Sequence, residues 1–252
     1  MDMIEFENPS ALDIALSEKV SGMLRSAIET DGKASLVVSG GRTPVGFFHL
    51  LSQQILDWTQ VTITLADERW VDAGHPDSNE KLVCENLLIN EARSAHYLSL
   101  KNSAPTAEEG ESACHRAFAD MGRFTVVILG MGDDGHTASL FPGAQALEKG
   151  LDMTSGRNCV AVTPLHAPHQ RMSLTLPRLL NSQQIILHIS GPSKQQMLLR
   201  ANSGRLALDG ADVRVVATSR SPILEGDVVR HKMTFPDHFG IGVPMYLHNV
   251  PA

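Results

Sequence analysis

The sequence predicts an α/β protein of Rossmann-like type, with a mostly parallel central sheet and helices on both faces. Two observations carry that prediction. Short apolar runs of strand length recur at 34–38, 61–66, 124–129, 184–189 and 213–218, and segments with helical apolar spacing lie between them. Several of these runs end in a glycine-bearing or charged turn, and at two of them a helix begins directly. Strands alternating with helices imply parallel pairing through right-handed crossovers.

Residues 10–29 place Leu12, Ala15, Leu16, Val20, Met23, Leu24 and Ile28 at helical spacing, with Ser10 as the expected cap. The buried strand 34–38 runs into Ser39-Gly40-Gly41-Arg42-Thr43-Pro44. Thr43 suits an N-cap and Pro44 a first helical position, so a helix is expected over 45–54. The strand 61–66 leads directly into Asp67, Glu68, Arg69 and Trp70. Asp77 and Glu80 have capping-box spacing at the start of the next helix. A short strand at 96–100 and an amphipathic helix over 106–121, capped by Thr106, follow. After the strand 124–129, further strands are expected at 158–162, 172–176 and 184–189, with a short helix at 177–180. A helix from Ser193 to Ala201 follows the turn Ser190-Gly191-Pro192. The prolines and glycines beyond Ser219 break every period.

With 252 residues, 42% of them hydrophobic, the chain can fill one large core, and nothing in it marks a linker or a repeat. A single domain over 1–252 is expected, with 219–252 as an atypical C-terminal segment. The balance of 21 basic to 28 acidic residues, net −7, and the scatter of Lys and Arg argue against a nucleic-acid surface. Cys84, Cys114 and Cys159 are widely spaced and suggest neither a zinc site nor a disulfide framework. The start of the chain is acidic where a signal peptide is basic, and no apolar run approaches the ~20 residues of a membrane span. A soluble, cytoplasmic protein with no membrane partner is expected.

The chemistry concentrates in Gly130-Met131-Gly132-Asp133-Asp134-Gly135-His136-Thr137-Ala138-Ser139. The stretch contains a literal G-x-G-x-x-G, but two carboxylates inside the loop would repel a pyrophosphate. A carboxylate beside an imidazole suits proton transfer instead, so Asp134 and His136 are the catalytic candidates. The alternative is that His136 only braces the loop. The turn 39–43 is a candidate anion cradle, because amide N–H groups and a helix N-terminus meet there. Its bland alternative is a tight turn that binds nothing. Asp67 and Arg69, at the end of a strand, are candidate ligand contacts, with Glu68 between them pointing the other way; the alternative is a surface salt bridge at a loop. Lys194, in the first turn of its helix, is disfavoured there by the helix dipole and suits a phosphate. Neither a G-x-S-x-G elbow nor a need for a metal is visible.

Together these segments resemble the glucosamine-6-phosphate isomerase/6-phosphogluconolactonase family. The matching residues are Ser39–Pro44, Asp67–Val71, Asp77–Asn79, Leu129–Pro142, Arg171 within Met-Ser-Leu-Thr, and Gly191–Lys194, in family order. The continuation Ser-Leu-Phe-Pro after the histidine favours the lactonase branch over the deaminase branch. The resemblance implies a NagB-like fold and hydrolysis of 6-phosphoglucono-δ-lactone without metal or cofactor. It implies that His136 is the general base, supported by Asp134. Ser39, Gly40, Gly41, Arg42, Thr43, Arg171 and Lys194 become phosphate contacts, and Asp67 and Arg69 substrate contacts. The partner is a small sugar phosphate, and the protein a monomer or small homo-oligomer. An amino-sugar-phosphate isomerase or deaminase, and a non-enzymatic sugar-phosphate sensor, stand as the rivals.

Overall fold

The computed structural model describes residues 2–202, 229–232 and 244–248. In chain order the elements are β1 (Asp2–Phe6), α1 (Pro9–Asp31), β2 (Ala34–Val38), α2 (Val45–Ser52), β3 (Val61–Leu65), β4 (Asp67–Arg69), α3 (Asn79–Asn86), β5 (His96–Leu98) and α4 (Ala107–Ala117). Then come β6 (Phe124–Leu129), α5 (Leu147–Leu151), β7 (Cys159–Val162), β8 (Arg171–Leu174), α6 (Leu176–Leu180), β9 (Ser182–Ser190), α7 (Pro192–Asn202), β10 (Val229–Lys232) and β11 (Pro244–His248).

Among the described residues, eight strands form one sheet in the order β10-β1-β11-β9-β6-β2-β3-β5. Every neighbouring pair is parallel except β1 with β10 at the edge. Leu36, Val37 and Val38 are consecutive and all fully buried. Successive strand residues face opposite sides, so the sheet is covered on both faces. The expected mostly parallel, doubly covered α/β sheet is therefore what forms. The main core packs Leu12, Leu16, Val20 and Leu24, one face of α1, with Phe47 and Phe48 of α2 against the strands. Full burial of each such side chain contributes about 1.5–3 kcal/mol.

From β2 the chain moves to β3 and β5 on one side, and from β6 to β9 on the other. The order reverses between β2 and β6, which makes the carboxyl ends of those strands the natural crevice. A second sheet, β4-β8-β7, is antiparallel and places Arg69 directly opposite Arg171. The β10 and β11 strands bring parts of the C-terminal segment into the main sheet. The strand expected at 213–218 lies outside the described residues.

Three expected caps differ. Asn8, not Ser10, caps α1 by accepting from the Ala11 amide, and Pro9 takes the first turn. Thr43 caps nothing; α2 starts one residue later than Pro44 implies and has no side-chain cap of its own. Asp13 of α1 reaches across instead and accepts from the Phe47 amide. Ser78, not Asp77, caps α3, because buried Glu68 takes the free N–H groups at that end.

Candidate active site

The turn after β2 and the loop after β6 are stitched together by one hydroxyl. Ser39 Oγ donates to the Ile128 carbonyl (3.2 Å) and accepts from the Gly130 amide (3.1 Å). This contact sits at the switch point, so the two chemical segments share one wall. Gly40 lies against the Asn79 side chain; a Cβ there would stand 1.9 Å from Asn79 Oδ1. Asn79 itself is held by the Asp67 carbonyl (2.9 Å). The amides of Gly40, Gly41, Arg42 and Thr43 have no backbone partner among the described residues. Free N–H groups ahead of a helix form an anion cradle.

The loop after β6 opens no helix. It continues in turns as far as Leu147, so the G-x-G-x-x-G lacks the helix N-terminus that a dinucleotide needs. Instead it closes on itself: the Gly132 amide donates to the His136 carbonyl (2.7 Å) and the Gly135 amide to the Gly132 carbonyl (3.1 Å). The closure brings Asp134 Oδ1 to 2.5 Å from His136 Nδ1, and the His136 amide donates to the same oxygen (3.2 Å). A carboxylate only accepts, so in the neutral ring the proton sits on Nδ1 and the lone pair on Nε2. Phe141 packs on the imidazole with ring centres 4.1 Å apart. A Cβ at Gly132 would lie 2.2 Å from His136 Cε1 and Nδ1, so only glycine leaves room for this ring position.

These segments line a cleft of about 270 Å³. Its walls include Ser39, Gly40, Gly41, Thr43, Asp67, Arg69, Asn79, His136 and Lys194. Arg42, Asp134 and Arg171 are not on the wall: Arg42 is exposed, and Asp134 is paired with His136. Arg171 is 7% exposed on β8, opposite Arg69 on β4. Burial, and next the Arg69 charge, hold its guanidinium below the usual range. Two facing cations repel, and the nearby carboxylates of Asp67, Glu68 and Asp77 offset part of that repulsion. Arg69 is steadied by donating to the Asp77 carbonyl (2.5 Å). Asp67 accepts from the Ser139 hydroxyl (2.5 Å), which ties β4 to the 130–139 loop. Lys194 pairs with Asp133 (2.9 Å), and with the Ser193 hydroxyl it keeps that carboxyl below its ordinary range.

Sequence reasoning missed four residues here. Glu68 is 1% exposed and accepts from the Arg69, Asn79 and Glu80 amides and the Ser78 hydroxyl, which fixes where Arg69 and Asn79 stand. Burial outweighs those bonds and raises its carboxyl above the ordinary range. Asn79 and Ser139 appeared only inside motifs. His188, at the end of β9, lines the cleft and is 5% exposed, with Nδ1 unpaired among the described residues. Burial pulls it down to about 4, so it is a neutral wall residue. Its position after an apolar run was the only available signal.

Fold and site together define a Rossmann-like α/β protein with a carboxylate-paired histidine and a turn of free amides at the switch-point crevice. The chain belongs to the glucosamine-6-phosphate isomerases/6-phosphogluconolactonase family, whose model matches residues 7–219. It is 43% identical over 199 residues to a 6-phosphogluconolactonase of Rhizobium meliloti, covering 79% of this chain and 86% of that one. It is 42% identical over 209 residues to the 6-phosphogluconolactonase of Pseudomonas aeruginosa, covering 82% and 87%. The crystal structure of a 6-phosphogluconolactonase from Shewanella baltica superposes with a TM-score of 0.82 at 39% identity, over 98% of this chain and 97% of that one.

Proposed function

We propose that this protein hydrolyses 6-phospho-D-glucono-1,5-lactone to 6-phospho-D-gluconate, in the oxidative branch of the pentose phosphate pathway. The observation that carries the reading is the Asp134-held imidazole of His136 in a cleft whose other walls are built for an anion. Named relatives at about 40% identity act under the same name.

The substrate phosphate docks on the 39–43 amides, Arg171 and Lys194. That anchoring holds the lactone carbonyl against the 130–139 loop and supplies orientation from a part of the substrate that does not react. His136 Nε2 takes a proton from water, which attacks the carbonyl carbon. Asp134 stabilises the imidazolium that forms. The oxyanion takes hydrogen bonds from donors on the cleft wall, among them Arg69. The imidazolium then protonates the ring oxygen as the C–O bond breaks, and His136 returns to its starting state. No step uses a cofactor. The protein works on a free sugar phosphate in the cytoplasm.

The test is a lactonase assay with freshly generated 6-phosphogluconolactone, corrected for spontaneous hydrolysis, beside a second assay that feeds glucosamine 6-phosphate and looks for ammonia. Catalysed lactone opening without ammonia release is expected. Ammonia release without lactone opening moves the protein to the deaminase branch. Tight binding of 6-phosphogluconate with neither turnover makes it a sensor.

A further inference from the structure

Outside the cleft, two loops meet in a way the lactonase chemistry does not use. The segment between β4 and α3 brings His75 and Asp77, and the segment between β7 and β8 brings His169. His169 Nε2 lies 3.0 Å from Asp77 Oδ2, and His75 Nδ1 lies 3.9 Å from the same oxygen. One donor atom from each of the three residues falls within 4.8 Å of the other two. The imidazoles meet edge to face, with ring centres 5.4 Å apart.

We propose that His75, Asp77 and His169 form a binding site for a divalent transition-metal ion of the zinc class, clamping the β4–α3 loop to the β7–β8 loop. Tetrahedral zinc with bonds of about 2.0–2.1 Å holds its ligand atoms about 3.3 Å apart. The observed 3.0 and 3.9 Å bracket that spacing, so rotamer-scale shifts complete the site. Two imidazoles and one carboxylate select zinc, nickel or copper over magnesium and calcium, which want mostly oxygen. The ion replaces the proton that His169 now shares with Asp77. His75 Nδ1 now accepts from the Asp77 amide (3.0 Å); on metal binding that amide turns to solvent, which is close because Asp77 is 52% exposed. The same exposure leaves the remaining coordination positions to water.

The clamp lies against the cleft without entering it. Asp77 offers its side chain to the metal and its carbonyl to Arg69. A metal there fixes the loop that steadies a wall residue, while no step of the reaction passes through it. The nearby Arg69 charge works against a second positive charge, and the Asp77 carboxylate compensates it.

The experiment is calorimetric titration of the chelator-treated full-length protein with zinc chloride, repeated with magnesium chloride. It includes His75→Gln and His169→Gln, which replace partly exposed rings and leave the cleft residues in place. One equivalent of zinc is expected to bind, magnesium is not, and each variant should lose at least about tenfold in zinc affinity, since even indirect partners of a metal site cost 10–100-fold. Melting is followed in parallel: zinc at 100 times its Kd should raise the Tm by roughly 5–10 °C, reversed by EDTA and absent in His169→Gln. Absence of zinc binding, or equal affinity in wild type and both variants, overturns the site. Neither result bears on lactone turnover in metal-free buffer, which tests the other reading separately.

Discussion

Replacing Gly132 by alanine tests the catalytic geometry without touching a catalytic group. The new Cβ would stand 2.2 Å from His136 Cε1 and Nδ1 and 2.5 Å from Asp134 Oδ1, where an ordinary contact begins near 3.4 Å. The ring or the carboxylate has to move by about 1 Å, and a displacement of that size costs on the order of 10²-fold in rate. That corresponds to about 2.7 kcal/mol of barrier. His136→Ala, which deletes the base, should lower kcat by about 10²–10⁴, so the glycine variant falls at the shallow end of that range. The control lies two residues away. A Cβ at Gly130 meets only Ser39 Cβ, at 3.8 Å, so Gly130→Ala should keep nearly full activity. The assay is initial-rate lactone hydrolysis with the spontaneous rate subtracted, alongside a melting curve for each variant. KM should stay within about threefold in Gly132→Ala, because the anchor is built by other residues. Gly132→Ala with kcat within twofold of wild type, or an equal loss in Gly130→Ala, would refute the reasoning.

Three further outcomes follow from the same geometry. Arg171→Ala removes one of the paired cations and should raise KM by about 10–100-fold, the worth of a charge-assisted hydrogen bond, with little change in kcat; a fall in kcat at constant KM would contradict the anchor. Glu68→Gln replaces a carboxylate that accepts four hydrogen bonds. Relief of the buried charge offsets part of the loss, which leaves about 2 kcal/mol and a Tm drop of roughly 4–8 °C; an unchanged Tm would remove Glu68 as the organiser of that turn. Burial lifts Asp13 from 3.8 to about 6 against the pull of the Phe47 amide. The fold therefore prefers its protonated form, and that stability is complete below pH 3.8 and lost as pH rises through about 6. Because the group is partly exposed, about 1 kcal/mol is at stake, so Asp13→Asn should melt roughly 2–4 °C above wild type at pH 7 and level with it at pH 4; parallel pH profiles would exclude Asp13 as the source.

The strands were legible because their signal is local. The runs at 34–38 and 124–129 are continuous apolar stretches of the right length, and they form β2 and β6 to the residue. The caps were not, because their partners are remote. Nothing near Pro44 announces that Asp13, near the start of α1, faces the start of α2. Nothing near Asp77 shows that Glu68 fills the end of α3 from ten residues upstream. At the site, Asp134 and His136 lie two residues apart, so their contact was a local inference that geometry could answer. Arg171 could be named from its motif, but its place opposite Arg69 depends on an antiparallel pairing of two short strands a hundred residues apart. β1 was missed for the opposite reason: five residues that mix Asp and Glu with apolar side chains look like a solvated terminus until β11 and β10 flank them.

On the proposed reading, the placement of Lys194 joins anchoring to proton transfer. A lysine in the first turn of α7 has an unfavourable helix dipole, and the structure relieves it with Asp133, the residue beside Asp134. Asp133 is exposed while its lysine is mostly covered and faces the cleft. An arriving phosphate competes for the same ammonium and carries more charge than a carboxylate, so Lys194 has a better partner when substrate is present. The 130–139 loop is nevertheless held at two other points, by Ser39 on the Gly130 amide and by Asp67 on Ser139. Those two bonds tie the loop to β2 and β4, the same strands whose ends carry the cradle and Arg69. The loop that carries His136 is thus fixed to the elements that carry the free amides and Arg69, and the distance between the proposed base and the proposed anchor is set by the sheet and not by the lysine.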